Sequence, residues 1–394
     1  MRELHGSIQP YAWGSRTAIA AIQGRSVPSA SPEAELWLGA HPAAPSTVDR
    51  DGASVSLAEL VADDPDGTLG PAARFGRLPF LLKVLAADEP LSLQAHPDAG
   101  QARHGFGSEE AAHVPLGVPS RNYADPYHKP EMICALTDFD CLCGFRDPAE
   151  SAELLASLAV PALEKVVSAL RGPDGLRAAV TTLLELSGDS RDGIVAEAVA
   201  AAGARAVTSD DPAYRLLPDL GARYPGDPGV LVAVLLNHVR LRPGQALYAP
   251  AGYLHAYLRG VGVEIMAASD NVLRGGLTRK HVDVPELLRV LRFESGPPPV
   301  SDPVPEAPGL DAWPPLPGVT EFTLRRARVG GPYPRVTLSG AGPRVLLCLS
   351  GRVVATDASG ELSLGAGQAA FVPASLPNVR LAGYGEVYQA SIAY

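Results

Sequence analysis

Long apolar runs, cysteine and lysine are all scarce in this chain, and each shortage narrows its class. No hydrophobic stretch approaches the roughly 18 residues that a membrane span requires. Four cysteines (Cys134, Cys141, Cys143 and Cys348) are too few and too unevenly placed for a disulfide framework. The opening MRELHGSIQPYAWG lacks a basic-then-apolar leader pattern. A soluble, reduced, cytoplasmic protein is expected. A positive charge balance is missing too. The formal net charge is −10 and the pI about 5.4, which argues against general binding of nucleic acid or anionic membrane. Of 33 basic residues only Lys83, Lys129, Lys165 and Lys280 are lysine. Where Arg is the default cation, Lys suits what Arg cannot do, namely lose its proton or act as a compact point charge.

Glycine and proline are abundant, 40 and 38 of 394 residues, which favours many short elements joined by turns over a helical bundle. Residues 1–146 carry short β-branched and aromatic runs cut by Gly, Pro and Asp, a strand texture. Residues 147–236 turn Ala- and Leu-rich with helical spacing. In DPAESAELLASL, Asp147 is placed to cap a helix, Pro148 to start it, and Leu154, Leu155 and Leu158 to form its apolar stripe. Strand texture returns over 237–295, read together with 1–146 as the two parts of the first β domain. The Pro-rich stretch 296–318 reads as an extended linker, and 319–394 is strand-like again. GQALYAPA (244–251) is echoed by GQAAFVPA (367–374) at an offset of 123 residues. The offset that brings His255 after the first copy brings Asn378 after the second. The fold class expected is mainly β: a cupin double-stranded β-helix, two jelly rolls with an α-helical insert, the second roll lacking metal ligands.

Three segments place His beside other polar groups. In SLQAHPD, Ser92, Gln94 and His96 alternate and would leave one face of a strand. YHKPEMI packs His128, Lys129 and Glu131 into four residues; on an extended segment Lys129 and Glu131 face one way and His128 the other. PAGYLHAYL puts His255 on a strand after a turn. Together Gln94, His96, Glu131 and His255 would supply one amide oxygen, one carboxylate and two imidazoles. That set suits a borderline divalent ion, zinc first. One carboxylate leaves Zn²⁺ a net charge of +1, able to stabilise an oxyanion. Spacing alone does not choose between this set and separate structural histidines. His5, His41, His104, His113, His238 and His281 are read as ordinary core or surface histidines. In SDNVLRGGLTRKHVD, Arg274 and Lys280 flank a Gly-hinged loop, an arrangement that suits a phosphate or a developing enediolate and equally an ordinary basic loop.

YAWGS, AELWLGAHPAAPS, LPFLLKVL, LSLQAHPD, YHKPEM, PAGYLHAYL and SDNVLRGGLTRKHVD, in this order over about residues 5–295, resemble the type I phosphomannose isomerases. The resemblance implies a zinc-dependent aldose–ketose isomerase of the cupin fold, active in carbohydrate metabolism on a sugar phosphate. It implies one zinc per chain on Gln94, His96, Glu131 and His255, and Arg274 as the catalytic arginine. It also places His128, Lys129, Asp270 and Lys280 in or near the site, with Ser92 among the substrate contacts. The protein is expected to act as a monomer with no nucleic-acid or membrane partner. Where the family commonly reads LTPK this chain reads LTRK, with Arg279, which puts the role of Lys280 in question.

Interconverting mannose 6-phosphate and fructose 6-phosphate requires ring opening and proton transfer between C2 and C1 through a cis-enediol(ate). A buried lysine beside a +1 metal site is a candidate base, and Lys129 fits. His128 and Asp270 remain open as alternatives. Arg274 cannot lose its proton, so electrostatic stabilisation of the enediolate is its expected task. Other readings are a different cupin metalloenzyme (a sugar isomerase or an iron oxygenase) and a non-catalytic sugar-phosphate-binding cupin. Retention of Lys129, Arg274 and all four ligands weighs against a pure binder.

Overall fold

A computed structural model describes residues 1–50 and 52–393. It contains two 11-stranded antiparallel sheets and a block of helices between two paired strands. The mainly β cupin fold with two jelly rolls and a helical insert is thus present.

The first sheet is organised by one strand, His255–Ala267, of 13 residues. Its C-terminal half runs between Phe80–Ala87 and Glu131–Ala135. Its N-terminal end pairs instead with Phe139–Phe145 and with Gln94. The exchange of partners falls at a register shift between Tyr257 and Arg259, next to Gly260 at φ +133°. Fully extended, the 11 steps from His255 to Met266 would span roughly 36 Å. Glu131 is nevertheless the register partner of Met266 and touches His255 with its side chain, so the strand must fold over at this point. A Cβ on Gly260 would lie 2.8 Å from the Asp138 carbonyl and 2.6 Å from Phe139, so only glycine fits the corner.

The insert joins Phe139–Phe145 to Leu236–Leu241, two strands that pair antiparallel with each other. Its first helix, Pro148–Ser157, starts as the sequence indicates: the Asp147 carboxylate accepts from the Ala149 and Glu150 N–H groups, and Pro148 occupies the first turn. Leu154, Leu155 and Leu158 are buried in one cluster with Leu93, Ala95, Leu254, Leu273 and Leu277. The insert therefore packs on the reverse side of the strands that carry the site.

The echo in sequence is also an echo in structure. Ala246–Ala249 precedes His255–Ala267, and Ala369–Val372 precedes the 14-residue strand Asn378–Ser391, each long strand starting at the equivalent position. Two expectations about the chain's division need correction. The stretch 296–318 is not a bare linker. It carries Val300–Ser301, paired with Ala246–Ala249, and the hairpin Val304–Ala307 with Leu310–Ala312, because prolines are tolerated at sheet edges. Nor do residues 1–146 all belong to the first roll. Arg2–His5 pairs with Ala369–Val372 and, with Thr47–Arg50 and Ala53–Ser56, completes the second sheet. The four cysteines are buried and free, as core residues.

Candidate metal centre and substrate cleft

His96, Glu131 and His255 are all buried, and one donor atom from each lies within 4.8 Å of the others. Each imidazole is oriented from behind. His96 Nδ1 is 2.7 Å from the Asn271 carbonyl, and His255 Nδ1 is 3.0 Å from the Tyr253 carbonyl. A carbonyl only accepts, so each Nδ1 carries the proton and each ring turns its Nε2 inward. Both Nε2 atoms face the Glu131 carboxylate, at 3.3 Å for His96 and at hydrogen-bond distance, 2.9 Å, for His255. His96 Nε2 is buried with no hydrogen-bond partner. Two imidazole nitrogens and a carboxylate converging in a buried space fit a divalent cation.

The electrostatics are those of a ligand set. Burial and the neighbouring Lys129 charge push the His96 pKa down to about 4, so the ring is neutral at physiological pH. Burial alone would raise the Glu131 pKa, but Lys129 and His96 hold it well below the usual carboxylate range. Lys129, itself buried, has its Nζ 3.3 Å from Glu131 Oε2. Gln94 is the register partner of both His255 and Arg274 and lines a pocket of about 60 Å³ with Lys129, Glu131 and His255. Its Nε2 donates to Ser92 Oγ at 3.2 Å, which turns its amide oxygen away from that hydroxyl.

This pocket adjoins a cleft of about 700 Å³, large enough for a phosphorylated hexose, whose lining includes Trp13, Trp37, Ser92, Gln94, Lys129, Asp270, Arg274, Arg279 and Lys280. Among the described residues, the Arg274, Arg279 and Lys280 side chains have no acidic partner. Burial pushes the Arg274 pKa down, and burial together with Arg274 does the same to Lys280. Cations crowded at a cleft wall without counter-ions are suited to receive an anion.

Of the residues singled out in the sequence, the fold brings together Ser92, Gln94, His96, Lys129, Glu131, His255, Asp270, Arg274 and Lys280. His128 is not among them. It points to the opposite side, as alternation on an extended segment implies, and its Nε2 lies 2.8 Å from Glu321. Other residues emerge only in three dimensions. His41, read from the sequence as an ordinary histidine, is buried with Nε2 3.0 Å from Asp270 Oδ1 and lines the cleft. Lys83 sits 2.9 Å from Glu264 and 3.5 Å from Glu35. Burial opposes its charge, but the two carboxylates outweigh that and raise its pKa. Three of the four lysines (Lys83, Lys129 and Lys280) line this one cleft, so their scarcity was the available signal. Asn271 is fully buried; its amide oxygen accepts from the Ala124 N–H at 2.8 Å and its Nδ2 donates to the Asp125 and Tyr127 carbonyls, pinning the segment that leads into Lys129.

Fold and site together define a metal-binding cupin. Residues 1–148 match the family model described as phosphomannose isomerase type I, catalytic domain. The chain is 37% identical to the mannose-6-phosphate isomerase of Escherichia coli strain K12, over 98% of each chain. It is 33% identical to the bovine (Bos taurus) mannose-6-phosphate isomerase, over 91% of this chain and 89% of that one. A crystal structure of zinc-bound mannose 6-phosphate isomerase superposes with a TM-score of 0.91 at 34% identity, covering 100% of this chain and 99% of the other. The chain belongs to the type I phosphomannose isomerase family.

Proposed function

We propose that this chain interconverts D-mannose 6-phosphate and D-fructose 6-phosphate, with one zinc ion held by Gln94, His96, Glu131 and His255. The observation that carries this reading is the buried His96–Glu131–His255 donor set opening beside a cleft wall whose Arg274, Arg279 and Lys280 have no acidic partner among the described residues. When bound, zinc supplies Lewis-acid polarisation of the sugar oxygens.

The chain's own residues account for the rest. Lys280 receives the phosphate, and Arg274 meets the negative charge that develops on the substrate oxygens as the enediolate forms. Ser92 orients the Gln94 amide and offers its hydroxyl to the sugar. Lys129 and Asp270 both line the cleft and are the groups assigned to proton transfer between C2 and C1. Burial works against the Asp270 charge, but His41 holds its pKa below the usual value, so Asp270 is ionised at neutral pH. His128, turned toward Glu321, is left outside this chemistry. The net charge of −10 offers nucleic acid and anionic membranes no general attraction, and four buried free cysteines are in keeping with the cytoplasm. The C-terminal roll, residues 319–394, which has no ligand cluster among the described residues, is assigned a packing role.

A coupled assay on mannose 6-phosphate tests the reading. Turnover is expected to vanish on treatment with a chelator and to return on zinc addition. Turnover indifferent to the chelator would refute it.

A further inference from the structure

We propose that Asp227, in the helical insert, is a positioning residue that holds the phosphate-binding loop Gly275–Lys280 in its working shape; this rests on the isomerase reading above. Asp227 does not line the cleft. Its carboxylate bridges two segments far apart in sequence: Oδ1 accepts from the Gly229 N–H at 2.7 Å, and Oδ2 accepts from the Thr278 N–H at 3.1 Å. Thr278 Oγ1 in turn accepts from the Lys280 N–H at 3.1 Å, so the chain of contacts ends on a cation of the cleft.

The loop needs such a brace. Beside Gly276, at φ +121°, the buried non-glycine Leu277 has φ +53°, a backbone conformation that persists only when surroundings enforce it. On its site-facing side the loop is tied by Leu93, whose N–H donates to the Gly276 carbonyl at 3.0 Å and whose carbonyl accepts from the Gly275 N–H at 2.8 Å. On the far side the insert presses directly against it. A Cβ on Gly229 would come within 2.7 Å of the Gly276 Cα, and one on Gly276 within 2.5 Å of the Gly229 Cα. The backbone bonds of Leu93 are to residues 275 and 276. The segment that bears Arg279 and Lys280 is fixed from Thr278, through Asp227. Asp227 thereby serves the catalytic apparatus without itself lining the cleft.

The test is Asp227→Ala in the zinc-loaded enzyme. KM for mannose 6-phosphate and the inhibition constant of inorganic phosphate should both rise by roughly 10–100-fold, the range that loss of a hydrogen bond to a charged group corresponds to. kcat should change by less than about threefold and bound zinc should not change, since uniform binding is what is lost. In a Lys280→Ala background the same substitution should add little, because both act through one loop. Should Asp227→Ala not fold, Asp227→Asn replaces it: that amide keeps the acceptor toward Gly229 and sets a donor against the Thr278 N–H, with the same expected direction. Unchanged KM and phosphate inhibition, equal losses in kcat, or full additivity with Lys280→Ala would overturn the proposal. A wild-type enzyme inactive on mannose 6-phosphate would instead overturn the isomerase reading.

Discussion

Replacing Glu131 with Gln keeps the shape of the side chain and removes one negative charge from a place where that residue is 3% exposed. Its oxygens lie 2.9 Å from His255 Nε2, 3.3 Å from His96 Nε2, 3.3 Å from Lys129 Nζ and 3.4 Å from the Tyr257 hydroxyl. The amide leaves Lys129 buried without its counter-ion, and breaking a buried pair in this way costs about 3–5 kcal/mol. An unfolding entropy near 2.1 cal/mol/K per residue gives about 0.8 kcal/mol/K for 394 residues unfolding as a unit. The metal-free variant should therefore melt about 4–6 °C below the metal-free native chain. Zinc enlarges the difference. An ion present at 1,000 times its dissociation constant adds about 4 kcal/mol, or about 5 °C more, to the native protein. The variant, short of one ligand and of the negative charge that attracts the ion, should gain little of this. Thermal unfolding in chelator and then in excess zinc, with metal content measured alongside, reads both effects. The reasoning is refuted if Glu131→Gln melts with the native chain in chelator, or if it retains one zinc per chain with full stabilisation.

Arg274→Ala should lower kcat by roughly 10²–10³ while zinc content stays at one per chain, because Arg274 meets developing charge and coordinates nothing; near-normal turnover would remove it from the mechanism. The metal-free protein should lose stability as pH falls from 6.5 toward 4. Folding lowers the His96 pKa from its usual 6.5 to about 4, so the unfolded chain takes up a proton there that the folded chain refuses. Below that window Glu131, whose pKa folding lowers, adds a further loss as it is protonated. His96→Asn should flatten the slope between pH 6.5 and 4 in denaturant titrations, and an unchanged slope would show that His96 is not its source. His128→Ala should leave kcat and KM within about twofold of native; a loss comparable to that of Arg274→Ala would return His128 to the site.

Much of the site was legible because its chemistry is written locally. Ser92, Gln94 and His96 alternate on a short strand segment, and Lys129 and Glu131 share a face while His128 takes the other, so two-residue periodicity sorts them before any fold is known. The Asp147-Pro148 helix start is likewise a local matter of capping. His41, Lys83 with Glu35 and Glu264, and Asp227 carried no such pattern. Each acts on residues more than 40 positions away, and a lone His, Lys or Asp in sequence does not declare its partner. The prolines of 296–318 suggested an unpaired connection, yet proline excludes only one donor per residue and short edge pairings survive it. The pairing of Arg2–His5 with the C-terminal sheet is of the same long-range kind.

By itself, then, the order of residues determined the donor types, the alternating strands, the helical insert and the duplicated roll, all governed by spacings of a few residues. Tertiary structure decided that the donors meet. Glu131 pairs beside Met266 while His255 lies 11 residues back along the same strand, and only the corner at Gly260 brings the two ends of that strand around one point. The physical reason is that a backbone bend costs little where a glycine occupies a positive φ. Its location along the chain is set by the side chains and carbonyls it must clear, here Phe139 and Asp138, which the sequence places far from it.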